Sequence, residues 1–159
     1  HRRIADIRLV PVAAPSHPLA RIAKPIDDAT LGGFVQVVLS ERHHDGARPT
    51  EDRGVLSSKT WRVVDLATRH ALIAHGLGWG HMPEHLVRDD LRAGRLRALK
   101  LEAWGEKPPQ RSLVLTWRRG AAIGPVARWT EERLTRLCLD AVEPPLDGSH
   151  DMMGGITRP

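Results

Sequence analysis

The stretch His81-Met82-Pro83-Glu84-His85 has H-x-x-E-H spacing, which in some metallopeptidases sets two histidines on one helix face around zinc. Pro83 argues against that chemistry. Proline suits the first position of a helix, which leaves His81 at the end of a preceding strand rather than one turn before His85. No third ligand follows at a suitable spacing, so surface histidines are expected. Gly76-x-Gly78-x-Gly80 has the look of a dinucleotide loop but lacks the G-x-G-x-x-G spacing. These glycines follow a helix and fall in a strand, where they permit close packing. His43-His44-Asp45 has metal-binding residue types in a polar run, and the plainer reading is a solvated loop. Ser57-Ser58-Lys59 lacks the S-x-x-K spacing of acyl-transferring enzymes. Cys138 falls on the apolar side of a helix and is expected in the core.

Trp61, Arg62 and Asp65 carry more weight. They lie at a strand end that opens a helix, where free N–H groups and the helix dipole favour an anion. A carboxylate there could take a paired hydrogen bond from Arg62. Alternation along a strand lets only one of Trp61 and Arg62 point a given way. Equally, Trp61 could fill the core and Arg62 pair with a surface acid, and both readings stand. Ser40, at the carboxyl end of the Phe34–Leu39 strand, is the matching candidate on the neighbouring strand.

The elements that position these residues are read from the segment 60–99. Trp61-Arg62-Val63-Val64 fits a buried strand. Asp65 is a good N-cap for a small-residue helix carrying Leu66, Ala67, Ala71, Leu72, Ile73 and Ala74. Gly76 ends it, and residues 77–82 form a second strand. Pro83 opens the next helix, with Leu86, Val87 and Leu91 on one face and Gly94 past its end. Leu96, Leu99 and Leu101 continue into a third strand. Such alternation predicts a parallel sheet with crossover helices, whose ligands sit where strand ends meet helix starts.

Before this segment, residues 7–14 read as a strand ending in the turn Pro15-Ser16-His17-Pro18, and 25–31 as a single helical turn. Residues 34–39 are an apolar strand, and 41–58 a long surface loop of a length that is usually functional or mobile. After it, 105–110 is a connection, 112–117 a strand and 118–123 a turn. A helix from Gly124-Pro125 to about Leu139 is expected to bury Ala127, Leu134, Leu137, Cys138 and Ala141. The tail from Glu143 lacks periodicity and reads as disordered or pinned only by contacts.

The chain has 159 residues, room for one domain or two small lobes. Its hydrophobic and charged fractions are those of a soluble globular protein, and no stretch approaches a membrane helix. A single cysteine excludes an intrachain disulfide and suits a reducing cytoplasm. The net charge is +5, but the arginines are dispersed, without zinc-finger spacing or an aromatic-interleaved basic patch, so these residues are not expected to contact DNA. His1 runs straight into an apolar strand, as if the chain began in the middle of a fold.

The residues from Leu9 to Ala20, LVPVAAPSHPLA, resemble the valine-rich strand and Pro-x-His-Pro-Leu-Ala segment of LysR-type transcriptional regulators. So do Trp61-Arg62-Val63-Val64-Asp65-Leu66, the run Ala74 to Gly80, and Met82 to Val87. The resemblance covers roughly residues 7–139. It implies an α/β, periplasmic-binding-protein-like (type 2) fold of Rossmann-like lobes, one complete and one represented by its returning part. Residues 1–14 would be a crossover strand and remnant of the first lobe, and 15–110 the second, effector-binding lobe. Residues 111–141 would be the return crossover and last helix of the first lobe, and 142–159 a flexible tail.

The implied function is effector sensing without catalysis or cofactor. A small effector, an organic or aromatic acid, would sit in the interlobe cleft against Ser40, Trp61, Arg62, Val64, Asp65 and Trp117. Other partners would be the protein itself, as dimer or tetramer, and DNA only through a winged helix-turn-helix not present in this chain. No membrane is implied, and the location is cytoplasmic. A stand-alone solute-binding protein of the same fold is the alternative.

Overall fold

A computed structural model describes residues 1–40, 54–105, 109–118 and 124–141. Strand β1, Arg2–Ala13, serves two partners in succession. Its first half runs antiparallel to β6 (Gln110–Leu115), from Arg2↔Leu115 to Arg8↔Gln110. Its second half, from Leu9, runs antiparallel to β4 (Trp79–Pro83), and Val12-Ala13 also pair with the short β5 (Arg97–Ala98). Strand β2 (Gln36–Leu39) lies parallel to both β3 (Thr60–Val63) and β4. The sheet order is β3-β2-β4-β1-β5, with β6 on the outer half of β1.

The expected all-parallel sheet is therefore corrected to a mixed one. The units β3–α2–β4 and β4–α3–β5 keep their direction through crossover helices, whereas β1 enters between β4 and β5 from outside that alternation and runs against its neighbours. The helices are α1 (Asp28–Gly32), α2 (Leu66–Ala74), α3 (Glu84–Arg92) and α4 (Pro125–Ala141).

Local signals set the helix ends. Asp65 caps α2, its carboxylate accepting from the Thr68 N–H at 2.8 Å and from the Thr68 hydroxyl at 2.8 Å. Gly76 (φ 75°) and Gly94 (φ 69°) follow α2 and α3 in the left-handed conformation that side chains resist. Pro83 is the last residue of β4 and the N-cap of α3 rather than its first helical residue, because its ψ of 125° is still extended.

Alternation along the strands divides the core between the two faces of the sheet. One face gathers Ala13, Leu19, Ile26, Leu31, Trp79, Leu99 and Leu101. The other gathers Val12, Val37, Ile73, Met82, Val87 and Leu96 under α2 and α3. A Cβ on Gly78 would lie 2.6 Å from the Val35 carbonyl oxygen, and one on Gly80 2.7 Å from that of Val37. The close-packing role expected of these glycines is what the structure shows. Since the blocking atoms are backbone, Gly80→Ala should destabilise the protein by about 1–3 kcal/mol, as overpacking does. Equilibrium urea unfolding checks this, and an unchanged midpoint would refute the packing account.

Several expectations are corrected. β3 is an edge strand, not a buried one: only β2 pairs with it, and Trp61, Arg62 and Val64 are exposed. Leu86 of α3 is exposed, and the buried residue beside it is Val87. The third strand shrinks to Arg97-Ala98. On α4, Leu134 and Leu137 are exposed and Cys138 is half-buried, while Glu131 is buried and pairs with Arg2 of β1 at 2.6 Å. Helical spacing marks an apolar stripe but not what lies against it. The side chain of Ala141, His43-His44-Asp45, most of the 41–58 loop and the tail from 142 lie outside the described residues. Among the described residues, no helix is long and apolar enough to cross a membrane.

Candidate functional site

A cavity of about 310 Å³ opens where the carboxyl ends of β2 and β4 meet the paired strands β1 and β6. Val38 and Leu39 of β2, Ile7 and Leu9 of β1 and Leu66 of α2 supply its apolar wall. Its polar groups are Gln36, Arg69, His81 and Arg111. A second cavity of about 310 Å³ shares Leu9, Gly54, His81 and Arg111 and adds Trp104 and Gln110. His81 and Arg111 thus stand at the join of the two.

Each polar group arrives for a local reason. Gln36 points to the same face of the sheet as its register partner Trp79, and it is fully buried. Its amide is spent holding the returning chain: Nε2 donates to the Gly54 carbonyl at 2.7 Å, and Oε1 accepts from Leu56 N–H at 2.8 Å and Ser57 N–H at 3.1 Å. Gly54 has φ 105°, open to glycine, and a Cβ built on it would lie 3.6 Å from the His81 Nδ1. Arg69 sits one turn after Leu66 on the sheet-facing side of α2, and its Nε donates to the Val37 carbonyl at 2.9 Å. Burial pulls its pKa down to about 10.

His81 is the centre of the arrangement. It lies two residues after Trp79 on the same face of β4 and is only 5% exposed, which overturns the surface-histidine reading. Burial within the sheet follows from β4 lying between β2 and β1, with all five residues covered. Its ring stacks on Trp104 at 4.1 Å and meets the edge of Trp79 at 5.5 Å. Burial first, then the positive charges of Arg69 and Arg111, push its pKa down to about 3, so the imidazole is neutral. Its Nε2 is buried and has no hydrogen-bond partner among the described residues.

The six residues expected to contact a ligand lie elsewhere around these strand ends. Ser40 follows β2, and its N–H donates to the Val63 carbonyl at 2.7 Å, which brings it beside the β3–α2 turn. Trp61 is 46% exposed on β3, and Val64, at the start of that turn, is 70% exposed. Arg62 is also exposed. Asp65 fills the amino end of α2 with its own carboxylate. Trp117, past the end of β6, is 41% exposed. None of the six lines the cavity, although Leu39 and Leu66, chain neighbours of Ser40 and Asp65, do.

Gln36, Arg69, His81 and Arg111 were missed. A glutamine inside an apolar strand was one usable signal. An arginine three residues after Leu66 and four before Ile73, on the helix face that packs inward, was another. Ser57 has a structural role, its hydroxyl donating to the Phe34 carbonyl at 2.7 Å. The groove of about 680 Å³ between β1, β5 and α3 is larger, but Glu84 there is already paired with Arg8 at 3.3 Å. Among the described residues no cluster of His, Cys, Asp or Glu is placed to hold a metal ion.

The family model described as the LysR substrate binding domain matches residues 1–138. The chain belongs to that family. This LysR domain is 27% identical over 138 residues to the HTH-type transcriptional regulator YhaJ of Escherichia coli O157:H7, covering 86% of the chain and 44% of that protein. It therefore spans less than half of that relative's length. Among solved structures it is similar to the effector binding domain of QuiR in complex with shikimate, with TM-score 0.61 and 21% identity over 87% of this chain and 64% of that one. It is also similar to the regulatory domain of MetR from Neisseria meningitidis, with TM-score 0.60 and 16% identity, covering 90% and 65%. These likenesses show the fold: a LysR regulatory domain with a periplasmic-binding-protein-like arrangement, as the sequence implied.

Proposed function

We propose that this LysR domain is the ligand-sensing part of a transcriptional regulator, and that its effector is a small organic acid. The observation that carries this reading is the cavity holding Arg69 and Arg111. It is built jointly by lobe strands β2 and β4 and by β1 and β6, the paired strands through which the lobe, taken as residues 15–110, continues into α4. An anion held there touches both sides of that junction. Its binding energy then differs between relative placements of the two sides, which is the only way a ligand shifts such a balance. Complete switching takes a difference of about 5.5 kcal/mol.

On this reading the domain is not an enzyme, it works in the cytoplasm as a dimer or tetramer, and DNA is contacted by an attached winged helix-turn-helix. Ser40, Trp61, Arg62, Val64, Asp65 and Trp117 form the outer rim that the effector passes or meets on closure. The relative's description as an HTH-type regulator supports this role, and the shikimate bound by QuiR supports an acidic effector.

Calorimetric titration of the intact protein with benzoate, malate and shikimate tests it. At least one acid should bind, and Arg111→Ala should weaken that binding about tenfold or more, the loss of a charge-assisted contact. Arg62→Ala should weaken it less, with little change in melting temperature. Unchanged affinity in Arg111→Ala would remove this cavity as the effector site.

A further inference from the structure

We infer that His81 makes this cavity selective for hydroxylated acids, reading a hydroxyl group of the effector while the flanking guanidinium groups take its carboxylate. The inference rests on the cavity being the effector site. What it adds is the chemical class admitted and the side chain that decides it.

A polar atom shut away from water without a partner is costly, and native structures rarely keep one without a use. The His81 Nε2 is such an atom: it is buried, it belongs to a residue lining both cavities, and it has no partner among the described residues. Trp104 is stacked on the ring at 4.1 Å and Trp79 packs against it in a T-shaped arrangement at 5.5 Å, which holds the imidazole in place. Gln36, the other neutral polar side chain in the cavity, already holds Gly54, Leu56 and Ser57, which leaves the imidazole Nε2 as the buried cavity atom without a partner among the described residues.

The ligand group that suits it follows from charge. Burial first, and then the charges of Arg69 and Arg111, keep the imidazole neutral, so Nε2 carries either a proton or a lone pair. It therefore cannot form an ion pair with a carboxylate. A hydroxyl can donate to the lone pair or accept from the N–H, and so satisfies either tautomer. The carboxylate of the same molecule is drawn to the guanidinium groups, since an anion in a partly dry cavity needs a cation or several donors. With its carboxylate held by the guanidinium groups, an acid lacking the hydroxyl offers Nε2 no further group to pair with. Sites built to hydrogen-bond a substrate hydroxyl reject the analogue that lacks it far more strongly than apolar pockets reject a missing methylene.

The test is a calorimetric panel on the intact protein: benzoate against its 2-, 3- and 4-hydroxy derivatives, and succinate against malate. At least one hydroxylated member should bind about tenfold or more tightly than its parent. The ratio should fall to about one in His81→Leu and return in His81→Gln, whose amide again offers a donor and an acceptor. A merely structural histidine would not give that rescue. Should His81→Leu fail to fold, the wild-type imidazole 15N resonances report instead: the preferred hydroxy acid should shift Nε2, and its parent should not. Acids bound without any preference for a hydroxyl would overturn this inference alone and leave the acid-binding cavity standing. A preference that survives in His81→Leu would remove His81 from the role. Failure of every acid to bind would overturn both this inference and the proposed function.

Discussion

Between pH 7 and pH 5 the wild-type protein should lose stability that the His81→Leu protein retains. The imidazole is held in the native state near a pKa of about 3, against an ordinary value of 6.5 in the unfolded chain. Below pH 6.5 the unfolded chain therefore takes up a proton that the native state refuses. Stability from this group is fully present above pH 6.5 and falls as the pH drops, by about 1.4 kcal/mol per pH unit, until the native pKa is reached. At pH 5 the loss amounts to about 2 kcal/mol. Leucine has nothing to protonate, and it also relieves the unpartnered Nε2, worth roughly 1–3 kcal/mol at any pH. Urea unfolding at pH 7 and pH 5 measures the difference. His17, whose pKa is also lowered by burial, contributes with the same sign in both proteins and cancels in the comparison. The carboxyls of Asp65 and Asp90 are held below their ordinary value, so their stabilisation is lost only in a lower pH window. Parallel pH profiles for wild type and His81→Leu would show that His81 is not held neutral by its surroundings.

Truncating Trp79 to alanine should cost about 3–5 kcal/mol, which is a large share of the stability of a domain of this kind. Trp79 is the largest side chain that is wholly enclosed. It fills the space between β4 and the cluster of Leu19, Ile26, Leu31, Leu99 and Leu101, and the short elements beyond it cannot close the hole without moving the sheet. Trp79→Phe should cost clearly less. It keeps a ring against His81, and the Nε1 it removes has no partner among the described residues. The two unfolding midpoints decide the matter. A loss below about 1 kcal/mol for alanine would mean that the core can collapse around the gap. Because the Trp79 edge supports the His81 ring, the alanine protein should also lose the preference for hydroxylated acids.

Much of the fold can be read without coordinates, and the reason is local. Asp65, Gly76 and Gly94 act on backbone angles within one turn of themselves, so the ends of α2 and α3 follow from residue type alone. Gly78 and Gly80 declare that something approaches closely, though not that it is the carbonyls of Val35 and Val37. Family resemblance, carried by runs such as Met82 to Val87, supplied the lobed architecture that periodicity could not.

Residue order alone determined where helices start and stop, which faces are apolar and which family the chain joins, because those properties live in neighbouring residues. It misread β3 as buried, since Trp61 and Val63 look the same whether a strand has one partner or two. It placed His81 at the surface, since an imidazole beside Trp79 becomes buried only when β2 and β1 close on either side of β4. Tertiary structure decided the strand order, the reversal of β1, and the meeting of Arg69, His81 and Arg111. Those three come from α2, β4 and β6, and only long-range pairing brings segments so far apart in the chain around one cavity.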